Sequence, residues 1–310
     1  MARHGVLVLG AGGFIGRALV AHLAARGESV IAATRAPQTF GVGIVNRATG
    51  TLDAASPWPA LLADARAVVY LAGRAHAAPG PGEDWIEDEA ATAHALAAAA
   101  RREGVERIVL LSSIKAHGEV SGALPFRAGD PLAPADPYGR AKARVEAAMT
   151  ATGAPLVVLR PPLVYGPGVK ANFRVLMGLV MRRVPLPLAS IANRRSFVHL
   201  DNLLDLVALV LTHERAPGRA FLLRDEREVS TPDLVRLIAR GFGRGAILLP
   251  CPPGALIALA KLFGRSDVVE RLIASLRVDD GATRETLGWR PRVALEDGIA
   301  ATCRWYRDHG

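Results

Sequence analysis

The chain is 310 residues long and half hydrophobic, with 38 Lys+Arg against 29 Asp+Glu for a formal charge of +9; that length accommodates one large domain or two modest ones around a sizeable core. The basic residues are scattered with no long basic run, which argues against a nucleic-acid surface and fits an anionic small substrate. Cys251 and Cys303 are too far apart for a CxxC motif, which argues against a disulfide framework or a zinc site and fits a reducing, cytoplasmic setting.

The N-terminus shows no signal-peptide pattern. Residues 5–10 (GVLVLG) form a continuous apolar run ending in glycine, as in a strand buried on both faces. Helical spacing continues over 14–26, then strands at 29–34 (SVIAAT) and 66–72 (RAVVYLA). An Ala-rich helix is expected over 84–102, a strand at 107–112, a helix over 137–150 and a strand at 156–160. Strands alternating with helices predict an α/β fold: a doubly wound, Rossmann-type parallel sheet with ligands at the carboxyl ends of its strands. Beyond Arg160 the rhythm changes, and prolines cluster at 161, 162, 167, 185 and 187. Helices are expected over 172–183 and 201–212, with a short strand at 196–200 between them and a late sheet strand at 220–223. A further helix is expected to be capped by Thr231, with Pro232 in its first position. The apolar stretch 247–263 is interrupted by Pro250, Pro252, Pro253 and Gly254 and is too short to cross a bilayer, so no membrane span is expected.

Gly10-Ala11-Gly12-Gly13-Phe14-Ile15-Gly16 comes directly after the first strand and opens the first helix. Glycines at 10, 13 and 16 permit a tight turn, close approach of backbone to a pyrophosphate, and close packing of helix on strand. The helix N-terminus offers unpaired N–H groups and a partial positive charge to the phosphates. In this strand–loop–helix context the loop is expected to bind a dinucleotide. The second strand ends at Thr34-Arg35, without the acidic residue that usually bonds the adenosine ribose in NAD-selective enzymes. Arg35 can hold a 2′-phosphate by charge-assisted hydrogen bonds, so NADP(H) is favoured, with NAD(H) the alternative.

Tyr138 and Lys142 lie four residues apart at the start of a helical run, on one face and one turn apart. An ammonium beside a phenol favours the phenolate, so Tyr138 is expected to exchange protons nearer neutral pH than its free value of about 10. Only Lys115, Lys142, Lys170 and Lys261 break an otherwise all-arginine usage, which makes a lysine at this fixed offset a signal. Ser112 and Ser113 close the 107–112 strand; serines are common at strand ends, and their value here comes from the pairing with Tyr138 and Lys142.

With these motifs together, the chain resembles the extended short-chain dehydrogenase/reductase family, in its nucleotide-sugar epimerase/dehydratase branch. The likeness runs nearly end to end: GAGGFIG at 10–16, YLAG at 70–73, RIVLLSS at 107–113, PYGRAK at 137–142, LRPPLVYGPG at 159–168, NRRSFVHLDN at 193–202 and LGWRP at 287–291. It implies a dinucleotide-binding domain over 1–165, to which 190–225 returns, and a smaller, mostly helical substrate lobe over 166–310. It also implies roles. Tyr138 would be the general acid/base on the sugar hydroxyl or ketone, Lys142 would bind the nicotinamide ribose and lower the Tyr138 pKa, and Ser113 would hydrogen-bond the reacting oxygen. Hydride transfer to a carbonyl builds charge on oxygen and needs such donors. Ser113 is preferred to Ser112 because alternation places successive side chains on opposite faces. Leu71, Ala72 and Gly73 would line the cofactor. Asn172 and Arg195 (with Arg194 competing) would hold the substrate diphosphate, and Tyr165 would lie near the substrate. The resemblance further implies a homodimer formed through the 84–102 and 137–150 helices. The chain looks most like the members that make unusual sugars for bacterial surface polysaccharides.

The departures are informative. Asp88 falls where many relatives carry an Asn, and Thr51 where an acidic residue usually lies beside adenine. Dehydratase members carry an Asp-Glu pair after the serine, because removing water needs its own acid and base; this chain has Ile114-Lys115, with the lysine read as a solvated or substrate-side charge. Water elimination is therefore not expected, which leaves reduction of a 4-keto sugar or inversion at C4 of a nucleoside-diphosphate hexose. A dinucleotide-sensing regulator without chemistry and a dehydrogenase of a small ketone are the alternatives.

Overall fold

In the computed structural model, which describes residues 4–73, 83–262 and 266–309, the strands are β1 (Gly5–Leu9), β2 (Ser29–Thr34), β3 (Ile44–Ala48), β4 (Ala65–Tyr70), β5 (Arg107–Leu111), β6 (Leu156–Arg160), β7 (Leu163–Tyr165), β8 (Phe197–His199) and β9 (Arg219–Leu222). Seven of them form one sheet of order β3-β2-β1-β4-β5-β6-β9 in which every pairing is parallel; β7 and β8 pair separately. The order reverses between β1 and β4, so the chain leaves their carboxyl ends in opposite directions and a crevice opens there.

The helices are α1 (Phe14–Ala25), α2 (Trp58–Leu61), α3 (Asp84–Arg102), α4 (Pro137–Thr150), α5 (Ala171–Met181), α6 (Leu200–Val210), α7 (Thr231–Gly241), α8 (Pro253–Leu262), α9 (Ser266–Ile273), α10 (Gly281–Leu287) and α11 (Leu295–His309). Alternation along β1 explains the layering: Val6 and Val8 meet Leu19, Leu23, Leu203 and Val207 of α1 and α6 on one face, while Leu7 and Leu9 meet Leu96, Ala97 and Met149 of α3 and α4 on the other. Ala93, Ala97, Ala99 and Ala100 of α3 are buried there, inside this chain's own core. A third core, built on Phe173, Met177, Leu234, Ile238, Ile299 and Tyr306, holds the second lobe. The chain returns to the sheet twice: through α6 and β9, and again through Leu287 and Trp289, which join the α1–α6 layer.

Two local expectations are corrected. The 66–72 strand runs from Ala65 to Tyr70, and beyond it the Leu71 N–H still bonds Leu9 O at 3.0 Å. Ser230, not Thr231, caps α7, with its hydroxyl accepting from Asp233 N at 3.2 Å; Thr231 turns inward and donates to Leu272 O at 2.8 Å. The apolar 247–263 stretch ends in Phe263, which lies outside the described residues, and no described helix is long and apolar enough to cross a membrane.

Candidate functional site

The glycine loop sits at the β1 carboxyl end with little room to spare. Gly10 adopts φ +91°, and a Cβ there would come within 3.1 Å of the backbone of Leu71 and Ala72. Gly16 lies against the loop itself: a Cβ would fall 2.2 Å from Gly10 O and 2.7 Å from Ala11 Cα. Gly13 is the N-cap of α1 and supplies no side-chain cap, so the first-turn N–H groups, including those of Phe14 and Ile15, keep the orphan donors of a helix start. Phe14 packs against both the sheet core and the second lobe, with its ring 3.3 Å from where a Gly168 Cβ would sit. Ile15 packs on the sheet core. Because backbone cannot yield to a methyl, Gly16→Ala is expected to displace the loop and weaken dinucleotide binding by at least ~10-fold, about 1.4 kcal/mol; equilibrium titration with the dinucleotide checks this. At the β2 end Thr34 is buried and donates to Ala36 O at 2.7 Å, while Arg35 is exposed.

Across the crevice, Ser113 lies just past β5 in extended geometry, accepts from Lys115 N at 3.2 Å and hydrogen-bonds the Tyr138 phenol. Ser112 faces the other way and bonds Glu146. Lys142 is 6 % exposed. Its Nζ donates to Leu111 O at 3.3 Å, lies 5.6 Å from the Tyr138 ring centroid, and approaches within 3.1 Å of where a Gly73 Cβ would sit. Gly73 therefore keeps the crevice open over the lysine. The structure brings Ser113, Tyr138, Lys142 and the 71–73 segment together beside the glycine loop.

The electrostatics correct the expectation drawn from spacing. Burial pushes the Tyr138 phenol up to about 12, with the charges of Asp136 and Glu89 acting in the same direction and the Ser113 bond opposing them. Burial also draws the Lys142 amine down, against Glu89 and Glu146. Desolvation of both groups outweighs their mutual proximity. In this state Tyr138 is held as a phenol.

Glu89 carries no signal in the sequence. Asp88, the departure from the family pattern, is exposed on α3 and its carbonyl accepts from Thr92 Oγ1 at 2.7 Å. The next residue, Glu89, turns into the crevice, with Oε2 3.9 Å from the Gly73 Cβ position and its charge felt at Tyr138 and Lys142.

The second-lobe candidates separate. Arg195 is half-buried, donates to Ala274 O at 3.3 Å and is within electrostatic reach of Glu119, whereas Arg194 is exposed. Asn172 is exposed on the first turn of α5. Tyr165 is fully buried: its hydroxyl donates to Asp225 at 2.8 Å and its ring stacks on Phe173, which removes it from substrate contact. Asp225 also accepts from His199 N at 2.9 Å and Asn202 Nδ2 at 2.7 Å, so the FVHLDN part of the motif is a buried joint between β7, β8 and α6. Lys115 is not a solvated charge: it pairs with Glu119 at 2.7 Å and with Asp136. Among the described residues no cluster of His, Cys, Asp and Glu suits a metal ion.

Comparison with known proteins shows the family and the fold. Residues 6–223 match the family model described as the NAD dependent epimerase/dehydratase family. The chain is 36 % identical to a UDP-glucose 4-epimerase of Vibrio cholerae, over 96 % of this chain and 94 % of that one. It is 29 % identical to a dTDP-glucose 4,6-dehydratase of Streptomyces antibioticus, over 98 % and 92 %. In fold it is similar to the UDP-glucuronic acid 4-epimerase of Bacillus cereus in complex with NAD, with a TM-score of 0.77 at 20 % identity over 98 % of this chain and 99 % of that one.

Proposed function

Since the chain belongs to the NAD-dependent epimerase/dehydratase family, we propose that it inverts C4 of a nucleoside-diphosphate hexose, with NAD as its resident cofactor. The observation that carries this is the convergence of Ser113, Tyr138 and Lys142 on the mouth of the glycine cradle. The cradle fits a dinucleotide: Gly10, Gly13 and Gly16 keep backbone clear of side chains, and the uncapped start of α1 faces the same crevice. Leu71–Gly73 would line the cofactor on the β4 side, and Lys142 would hold its nicotinamide ribose.

NAD supplies a hydride acceptor and donor for C4. The chain's own residues manage the oxygen. Tyr138 exchanges the proton of the 4-hydroxyl, and Ser113 donates to that oxygen as it gains carbonyl character. Lys142 and Glu89 fix the charge on the cofactor side. Arg195, within electrostatic reach of Glu119, would hold the diphosphate by bidentate hydrogen bonds, and Asn172 would assist from the first turn of α5. Inversion requires the 4-keto sugar to turn over, so that hydride returns to the opposite face of C4 and the proton returns to the 4-oxygen. Dehydration is disfavoured by the two residues after Ser113: Ile114 is buried and Lys115 is ion-paired, so neither position offers an acid/base pair.

The second reading is a 4-keto-sugar reductase using NADPH, favoured by exposed Arg35 at the β2 end. That preference rests on charge alone, and the family description names NAD. The deciding experiment is the identity of the copurifying dinucleotide, followed by an assay with UDP-glucose and no added cofactor. NAD retained through purification, with UDP-galactose formed, is expected. An empty site that prefers NADPH and reduces a 4-keto sugar would replace the epimerase reading.

A further inference from the structure

If Ser113 and Tyr138 are the acid–base pair of the proposed reaction, their alignment depends on two separate elements: the turn after β5 and the first turn of α4. We propose that Lys115 is the positioning residue that joins them, clamping the Ser113 turn to the α4 cap and neutralising the carboxylate beside the reacting phenol.

Three parts of Lys115 make three different contacts. Its N–H donates to Ser113 Oγ at 3.2 Å. Its carbonyl oxygen presses on Gly139, the residue after Tyr138, so closely that a Cβ there would lie 2.4 Å away. Its ammonium bonds Asp136 Oδ2 and, at 2.7 Å, Glu119 Oε1. Asp136 is itself the N-cap of α4, with Oδ1 accepting from Gly139 N at 2.6 Å. One carboxylate therefore caps the helix that carries Tyr138 and Lys142 while it holds the lysine that touches Ser113.

The same arrangement sets the local charge. Asp136 stands two residues before Tyr138, and a carboxylate there disfavours the phenolate. The other groups facing the phenol are Ser113, Glu89 from α3, and Lys142 one turn along α4. Lys115 supplies the opposing charge at Asp136, and at 28 % side-chain exposure it is only partly screened by solvent. Glu119 completes the cluster and carries it to Arg195 of the second lobe, so the scaffold of the acid–base pair is also tied to the residue proposed to hold the substrate diphosphate.

The test separates charge from mere support. Tyr138 ionisation is read by tyrosinate absorbance milliseconds after a pH jump, ahead of alkaline unfolding. Each variant is differenced against its own Tyr138→Phe counterpart, to isolate one of four tyrosines. Lys115→Met is expected to move the ionisation to higher pH. Asp136→Asn, which keeps a capping side chain, is expected to move it lower, and the double variant to return it near the wild-type position. In turnover of the nucleotide hexose, Lys115→Met is expected to lower kcat roughly 10- to 100-fold with KM nearly unchanged, the scale of a misaligned reacting pair. The proposal is overturned if the two single variants shift the ionisation in the same direction, or if Lys115→Met alters neither ionisation nor kcat. If Lys115→Met does not fold, Lys115→Gln takes its place in both readouts. If the wild-type protein turns over no nucleotide hexose, the proposed function fails, while the titration still decides the role of Lys115.

Discussion

Tyr138→Phe is expected to lower turnover by about 10²- to 10⁴-fold, the range a positioned general acid–base group contributes, while leaving dinucleotide binding nearly intact. The substitution removes one oxygen. The ring stays in place over the Lys142 ammonium, and Ser113 keeps its bond from Lys115 N. The glycine loop, Leu71 and Ala72 make their close contacts with one another, not with the phenol. A loss confined to kcat therefore reports proton transfer, not a collapsed site. The pH dependence gives a second check. With the phenol pushed up to about 12 by burial, the proton-donating form prevails across the neutral range in this state. Removing the 4-hydroxyl proton needs the phenolate, so turnover limited by that step should rise with pH through and above the neutral range and level off as the phenol ionises. Normal turnover by the Phe variant, with its fold and bound dinucleotide confirmed, would remove the mechanism.

The parts of this site that the sequence reveals are those written locally. A glycine loop between an apolar strand and a helix, and a tyrosine one turn from a lysine, need only the geometry of single elements. The bounds of β2, α3, α4 and β6 emerge from periodicity alone. Properties set by distant packing do not. The sign of the Tyr138 shift depends on desolvation by the surrounding fold, which spacing does not encode. Glu89 enters the crevice because α3 packs on α4, and its neighbour Asp88, one helical step away, points out. Lys115 finds Asp136 only once the 114–116 turn docks on α4. Tyr165 is an aromatic residue in a motif shared with sugar-nucleotide enzymes, yet its burial against Phe173 and Asp225 is visible only in three dimensions. The edge strand β3 escapes a reading by periodicity because its IVNRA run is short, polar and largely exposed, as an edge strand can be.

Beneath the site, Glu146→Ala is expected to be the costliest single change, destabilising the fold by about 3–5 kcal/mol, the range for removing one partner of a buried ion pair. Glu146 of α4 and Arg160 at the end of β6 are 6 % and 9 % exposed at their side chains. The guanidinium reaches both carboxylate oxygens, with Nη2 to Oε2 at 2.6 Å and Nε to each oxygen at 3.1 Å. The remaining donor, Nη1, meets Ala128 O at 3.1 Å and His117 Nε2 at 2.9 Å. Burial and the adjacent guanidinium both hold the His117 pKa down, which keeps the ring neutral and able to accept. With Glu146 truncated, Arg160 keeps its charge in a site that retains only neutral acceptors, and Ser112 loses its partner. Replacing both ions, as in Glu146→Leu with Arg160→Met, should recover much of the loss, because the penalty lies in the orphaned charge more than in the missing attraction. Urea midpoints of the single and double variants test this, and equal destabilisation by both would refute it. The pair also reaches the chemistry. Ser112 precedes Ser113, and Glu146 stands one turn beyond Lys142 with its charge supporting that ammonium. The single variant should therefore lose turnover even below its unfolding midpoint, with Lys142 deprotonating at lower pH than in the parent protein.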